Sequence, residues 1–165
     1  YTVTRDVTYT GKTITPGNPG EPGTDPEGTQ KEYLTGTITE AIDYSGAGVK
    51  TPANKTGFKT VNVYRTVTVN EDGTLTYGSW TTNEEGQVTE GESLVAPISA
   101  TDIKAVPDVS GFTATIDADS NDAVTATSSE LTDTDNNEAT NDFTVTRSVN
   151  YSANDYTPDT PGGDK

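Results

Sequence analysis

Ten residues at the start of the chain, YTVTRDVTYT (1–10), are answered 142 positions later by FTVTRSVNYS (143–152), and both copies alternate between two classes of side chain. In the first copy Tyr1, Val3, Arg5, Val7 and Tyr9 fall on one side of an extended segment, and Thr2, Thr4, Asp6, Thr8 and Thr10 on the other. That is the period of a β-strand with one face buried. A weaker third copy, TITEAIDY (37–44), keeps a β-branched apolar residue at its second and sixth positions and Tyr at its eighth. A strand motif recurring along one chain predicts a tandem array of which this chain is one period.

Composition agrees with strands. About a fifth of the residues are Thr, which with Val, Ile and Tyr favours pleated structure, whereas Leu, Met and Lys are sparse or absent. The expectation is an all-β, elongated fold with antiparallel hairpins and at most a short helix. A hydrophobic content of 29% over 165 residues suits one ordinary domain or two small subdomains with slender cores.

Charge and missing residue types exclude several functions. A formal net charge of -16, with 10 Lys plus Arg, opposes a phosphate-binding surface, so nucleic acid is not an expected partner. The same charge repels anionic headgroups, and no apolar run approaches the roughly 20 residues needed to span a bilayer, so membrane insertion is not expected. Without Cys there is no disulfide framework, and without Met as well there is little for extracellular oxidants to damage. With neither His nor Cys the usual nucleophile and base pairs are missing, and a thin β-module leaves little room for a deep cleft. The chain is expected not to be an enzyme and to require no cofactor.

Residues 13–30, TITPGNPGEPGTDPEGTQ, hold four Pro and four Gly and read as a linker, as does the tail 153–165. In this frame residues 1–10 are the closing strand of a preceding repeat, 11–30 a linker and 31–152 the module. In the rival frame the motif opens each module. Residues 1–10 are expected to pair as a strand, on the edge of the module or with a neighbouring copy, because an apolar row on an unpaired strand favours a sheet edge. Residues 60–82 read as one β-hairpin turning at 70–73, with Val61, Val63, Val67 and Val69 on one face. A second alternating pair, 111–117 and 123–127, flanks a turn at 120–122. Residues 101–106 read as the short helix, capped by Thr101 and ended by Pro107.

From residue 37 to residue 117 the order of motifs resembles the mucus-binding (Mub) repeats of Gram-positive surface adhesins. The matching segments are TITEAIDY, YRTVTV (64–69), LTYGSWT (75–81) and PDVSGFTATID (107–117), with Glu40 where the family usually has Arg and Phe112 where Tyr is usual. The resemblance implies an extracellular, cell-wall-anchored adhesin repeat, some relatives of which bind mucin glycans or other host ligands. The expected function is a module that binds host mucus glycoproteins or glycans weakly and gains strength from copy number, with adjacent repeats as its other partners. The alternative is a stalk repeat that binds nothing and supplies reach.

Trp80 and Tyr64 are the candidate ligand-binding residues. Strict alternation puts Trp80 opposite Leu75 and Tyr77, on the wet face, where with Tyr64 it would form a stacking platform for a sugar; a bulge at Gly78 would instead turn it into the core. Arg5, Arg65 and Arg147 interrupt apolar faces, and Glu40 occupies the equivalent slot in the third motif copy, so pairing of Glu40 with Arg65 or Arg147, or stacking of Arg on Tyr, is the structural expectation. Asp133, Asp135 and Asn137 follow a D-x-D-x-N spacing, echoed at Asp117, Asp119 and Asn121, that suits Ca2+, although the Gly and Glu of an EF-hand loop are missing. Lys50, Lys55 and Lys59 offer amines for an isopeptide bond.

Overall fold

The computed structural model describes residues 1–128, 131 and 140–158. Within them the chain is all-β, with 7% helix. In order the elements are β1 (Lys12–Ile14), a one-turn helix α1 (Lys31–Leu34), β2 (Thr35–Ser45), β3 (Lys55–Tyr64), β4 (Val67–Val69), β5 (Leu75–Tyr77), β6 (Phe112–Ile116) and β7 (Asp142–Ala153). A four-stranded sheet runs β3-β2-β7-β6 and a three-stranded sheet runs β1-β4-β5.

Two copies of the repeated motif lie side by side at the centre of the large sheet. Strands β2 and β7 pair in parallel, with Ile38 opposite Phe143, Glu40 opposite Val145, Ile42 opposite Arg147 and Tyr44 opposite Val149. The sheet is therefore mixed rather than built from antiparallel hairpins alone; β3 and β6 flank the parallel pair antiparallel. A parallel pair cannot be closed by a tight turn, and here the chain between β2 and β7 also supplies both flanking strands, β3 and β6.

Alternation fixes which face is dry. Ile38, Glu40, Ile42 and Tyr44 of β2 and Phe143, Val145, Arg147, Val149 and Tyr151 of β7 are buried, while Thr144, Thr146 and Asp43 on the reverse face are exposed. The layer covering the dry face is irregular chain rather than a second sheet. Leu94, Val95 and Val124 join Ile38, Val63, Trp80, Phe143 and Val145 in one apolar cluster, and Ile98, Ala105 and Val109 join Ile42, Tyr44, Val149 and Tyr151 in another. Between the clusters the Arg147 Nε donates to Glu40 Oε1 at 3.2 Å, both side chains buried, and its Nη1 donates to the Ser120 and Asp122 carbonyls. Of the two pairings expected for Glu40, the one with Arg147 forms.

Several segments differ from their sequence reading. The hairpin over 60–82 turns as expected about Gly73 at φ 83°, with β4 antiparallel to β5 and Tyr64 bridging to Thr81, but the rest of β3 pairs with β2 in the large sheet. The chain leaves the large sheet at Arg65 and Thr66, just past Tyr64, which pairs with Thr35 of β2 on one side and with Thr81 on the other. Residues 101–106 form turns, with both Ala105 and Val106 amides bonded to the Asp102 carbonyl, and the short helix is α1 instead. Residues 123–127 do not pair with β6; Val124 bridges to Val95.

The stretch expected to be a linker is packed. Lys12–Ile14 pairs with β4, and Ile14 is buried with Leu34 and Val67. Its Pro and Gly residues are accommodated by local hydrogen bonds, Gly20 N–H to the Thr29 carbonyl, Gln30 Nε2 and Thr29 Oγ1 to the Pro26 carbonyl, and by the Tyr77 hydroxyl donating to the Gly28 carbonyl at 2.9 Å. A Cβ at Gly28, whose φ is 97°, would lie 2.6 Å from that hydroxyl. Residues 1–10 are not in a strand of this chain and are exposed along their whole length. Their expected place on the edge of the module is not taken.

Candidate functional site

The residues nominated for ligand contact sit at the junction of the two sheets. Past the β4–β5 pair the Gly78 amide bonds to the Thr66 carbonyl, and Tyr64 then bridges to Thr81, where continuing register would give Trp80. One extra residue has entered the second strand. This bulge rotates Trp80 from the wet face to the dry one, and its ring meets Phe143 edge-on at 5.6 Å with 9% of its surface exposed.

Arg65 links the sheets. Its guanidinium lies 4.0 Å from the centre of the Tyr77 ring and 4.4 Å from that of Trp80, and its Nε donates to the Tyr33 carbonyl at 2.9 Å. Burial lowers its pKa, with Tyr77 opposing, yet an arginine stays charged, so the cation is held by two π faces. Stacking of Arg on Tyr was expected, but not with Tyr77, whose position on the outer strand gave no signal of a shared cation.

Trp80 and Tyr64 face different hollows. Trp80 lines a recess of about 210 Å³ with Val88, Gly91, Glu92 and Ala126. The Glu92 carboxylate there accepts from Thr81 Oγ1, Thr82 Oγ1 and the Thr82 amide, and those hydroxyls hold its pKa below the usual range. Tyr64, half-buried, lines an open groove of about 410 Å³ with Lys31, Glu32, Asn62, Asn141 and Asp142. Asn141 fixes its floor, Nδ2 donating to the Glu32 and Thr35 carbonyls. Asn141 and Glu92 were not nominated from sequence; Asn and Glu at isolated positions have no spacing that distinguishes a clamp from a solvated side chain.

Asp133, Asp135 and Asn137 lie outside the described residues. The echo of their spacing is a turn: Asp117 Oδ1 accepts from the Asp119 amide and Asn121 Oδ1 from the Ile98 amide, so these oxygens hold backbone. Among the described residues no three acidic, His or Cys side chains gather in a way that could hold a metal ion. Lys50 and Lys55 direct their amines at the Ser110 and Lys104 carbonyls rather than at an Asn side chain. No helix among the described residues is long and apolar enough to cross a membrane.

Fold and surface together define a class, an all-β module with a mixed central sheet and shallow polar grooves. Compared with protein-family models, curated proteins and solved structures, the chain matches none.

Proposed function

We propose that this chain is a repeat module of a wall-anchored, Gram-positive cell-surface adhesin, displayed in tandem outside the cell, and that its own contribution is reach. The reading draws on the recurring strand motif, the resemblance to mucus-binding repeats and the strongly acidic composition, which keeps neighbouring modules from collapsing together. The observation that favours a stalk over a binding surface is the burial of Trp80: the aromatic pair that would stack on a sugar is divided between the core and a separate groove. A stalk needs no site.

A second reading keeps mucin glycans as ligands and moves the contact to the Tyr64 groove. An open hollow lined by the Tyr64 ring with Asn62, Asn141 and Asp142 suits a sugar bound weakly through ring contact and a few hydrogen bonds. Many such contacts in series would give avidity. Binding of purified mucin to a single module and to a multi-module chain separates the two. The stalk reading expects no saturable binding from either, whereas binding that rises with copy number and disappears in Tyr64→Ala would overturn it in favour of the groove.

A further inference from the structure

Residues 1–10 carry, in order, four of the five inward-facing side chains of β7, with Tyr1 where β7 has Phe143. At the 142-residue offset Tyr1, Val3, Arg5, Val7 and Tyr9 correspond to Phe143, Val145, Arg147, Val149 and Tyr151, all five of which are buried. In residues 1–10 the same row stands in water, Val3 at 78%, Val7 at 72% and Tyr9 at 77% exposure. The central place they are built for is already filled in this chain by β7 itself, between β2 and β6.

That place is specific. Its dry face presents apolar clusters at each end and, between them, the buried Glu40 carboxylate that Arg147 neutralises. An apolar strand without a cation at its centre would leave Glu40 an unpaired buried charge. Arg5 supplies the cation at the matching position, flanked by Val3 and Val7 as Arg147 is flanked by Val145 and Val149.

The correspondence continues through the junction. The last residue of β7, Ala153, matches Gly11, and Lys12 opens β1; Ile14-Thr15-Pro16 is answered by Tyr156-Thr157-Pro158. Ile14 is buried in the small sheet, whereas Tyr156 is 54% exposed. The exposed ring is what a tail awaiting the next small sheet would show.

We propose that residues 1–10 form the central strand of a preceding copy of this module, so that each copy is completed by the chain that immediately begins the next. Successive modules are then joined by one extended segment through Gly11, the β7 strand of one running into β1 of the following with no linker between them. An array built this way resists bending at its joints, because the connecting strand is hydrogen-bonded on both flanks in one module and paired with β4 in the next. The proposal concerns how copies join and does not depend on whether they bind mucin.

The test is amide exchange in the 165-residue chain and in a two-period chain, residues 1–142 followed directly by residues 1–165. In the single chain the amides of residues 3–9 should exchange as an unstructured peptide does. In the two-period chain the internal copy of these residues should exchange at least about 100-fold more slowly, as a central strand does. Fast exchange of the internal copy, or slow exchange in the single chain at low concentration, overturns the proposal. A second variant, Val7→Asp, should leave the melting temperature of the single chain unchanged and lower that of the first module when placed at the internal copy; equal effects in both chains also overturn it.

Discussion

At the scale of single residues, Trp80, the Arg147–Glu40 pair and Glu92 do different work. Trp80 is core, so Trp80→Ala should cost about 3–5 kcal/mol in chemical denaturation, as large-to-small changes of buried aromatics do. Tyr64→Ala, at a half-buried groove wall, should cost clearly less. A Trp80 variant as stable as the parent would contradict the bulge at Gly78. Arg147 and Glu40 form a buried pair in which one Arg147 terminal nitrogen, Nη2, has no hydrogen-bond partner among the described residues. Arg147→Met alone should destabilise by about 3–5 kcal/mol because it strands the Glu40 carboxylate, and adding Glu40→Leu should recover much of that loss. A double-mutant cycle checks this, and additive losses would refute the coupling. Glu92 gives a pH signature. Its folded pKa lies below the ordinary 4.5, so its contribution is complete above that value and is lost as pH falls through the lower folded value. Glu92→Gln should therefore flatten the acid limb of a pH–stability profile below about 4.5, and an unchanged limb would dismiss the clasp.

At the scale of elements, what decided the outcome was competition for partners. Period two marked β2, β3 and β7 as strands and named their dry faces, including Ile38, Val63 and Val149. It did not say which strand lies beside which. Val61 and Val63 pack in one cluster, while Val67 and Val69 pack in another, although all four continue one alternation. The Pro/Gly-rich segment misled for a related reason: composition reports what cannot sit in a central strand, and β1 is a three-residue edge strand, where that rule is weak. Ile14→Ala should accordingly destabilise by about 2–5 kcal/mol if β1 is part of the folded unit. A loss near zero in thermal melting would restore the linker reading. The turn after β2 is equally demanding, since Gly46 has φ 97° and an added Cβ would fall 2.1 Å from the Tyr151 carbonyl oxygen. Gly46→Ala should lower the melting temperature more than Gly57→Ala, where the space is open.

At the scale of the whole molecule, charge opposes compactness. A net charge of -16 on a chain with a slender core means self-repulsion is a sizeable fraction of a marginal stability. Raising ionic strength from about 10 mM to about 0.15 M shortens the screening length from roughly 30 to roughly 8 Å and should raise the melting temperature by several degrees. The buried Glu40–Arg147 pair is shielded from that screening, so E40Q should leave the size of the salt response intact. A flat salt dependence in the parent would remove charge repulsion from the account.

The sequence by itself determined the all-β class, the dry face of each long strand and the correspondence between residues 1–10 and β7, because these follow from the two-residue period of an extended chain and from identity at a fixed offset. Tertiary structure alone decided that two motif copies pair in parallel, that Glu40 meets Arg147 across a two-residue diagonal, and that one extra residue at Gly78 turns Trp80 inward. These outcomes depend on which segments far apart in the chain win the same neighbour. Local alternation fixes a strand's faces and leaves that contest open, whereas long-range packing and the pairing of a buried charge settle it.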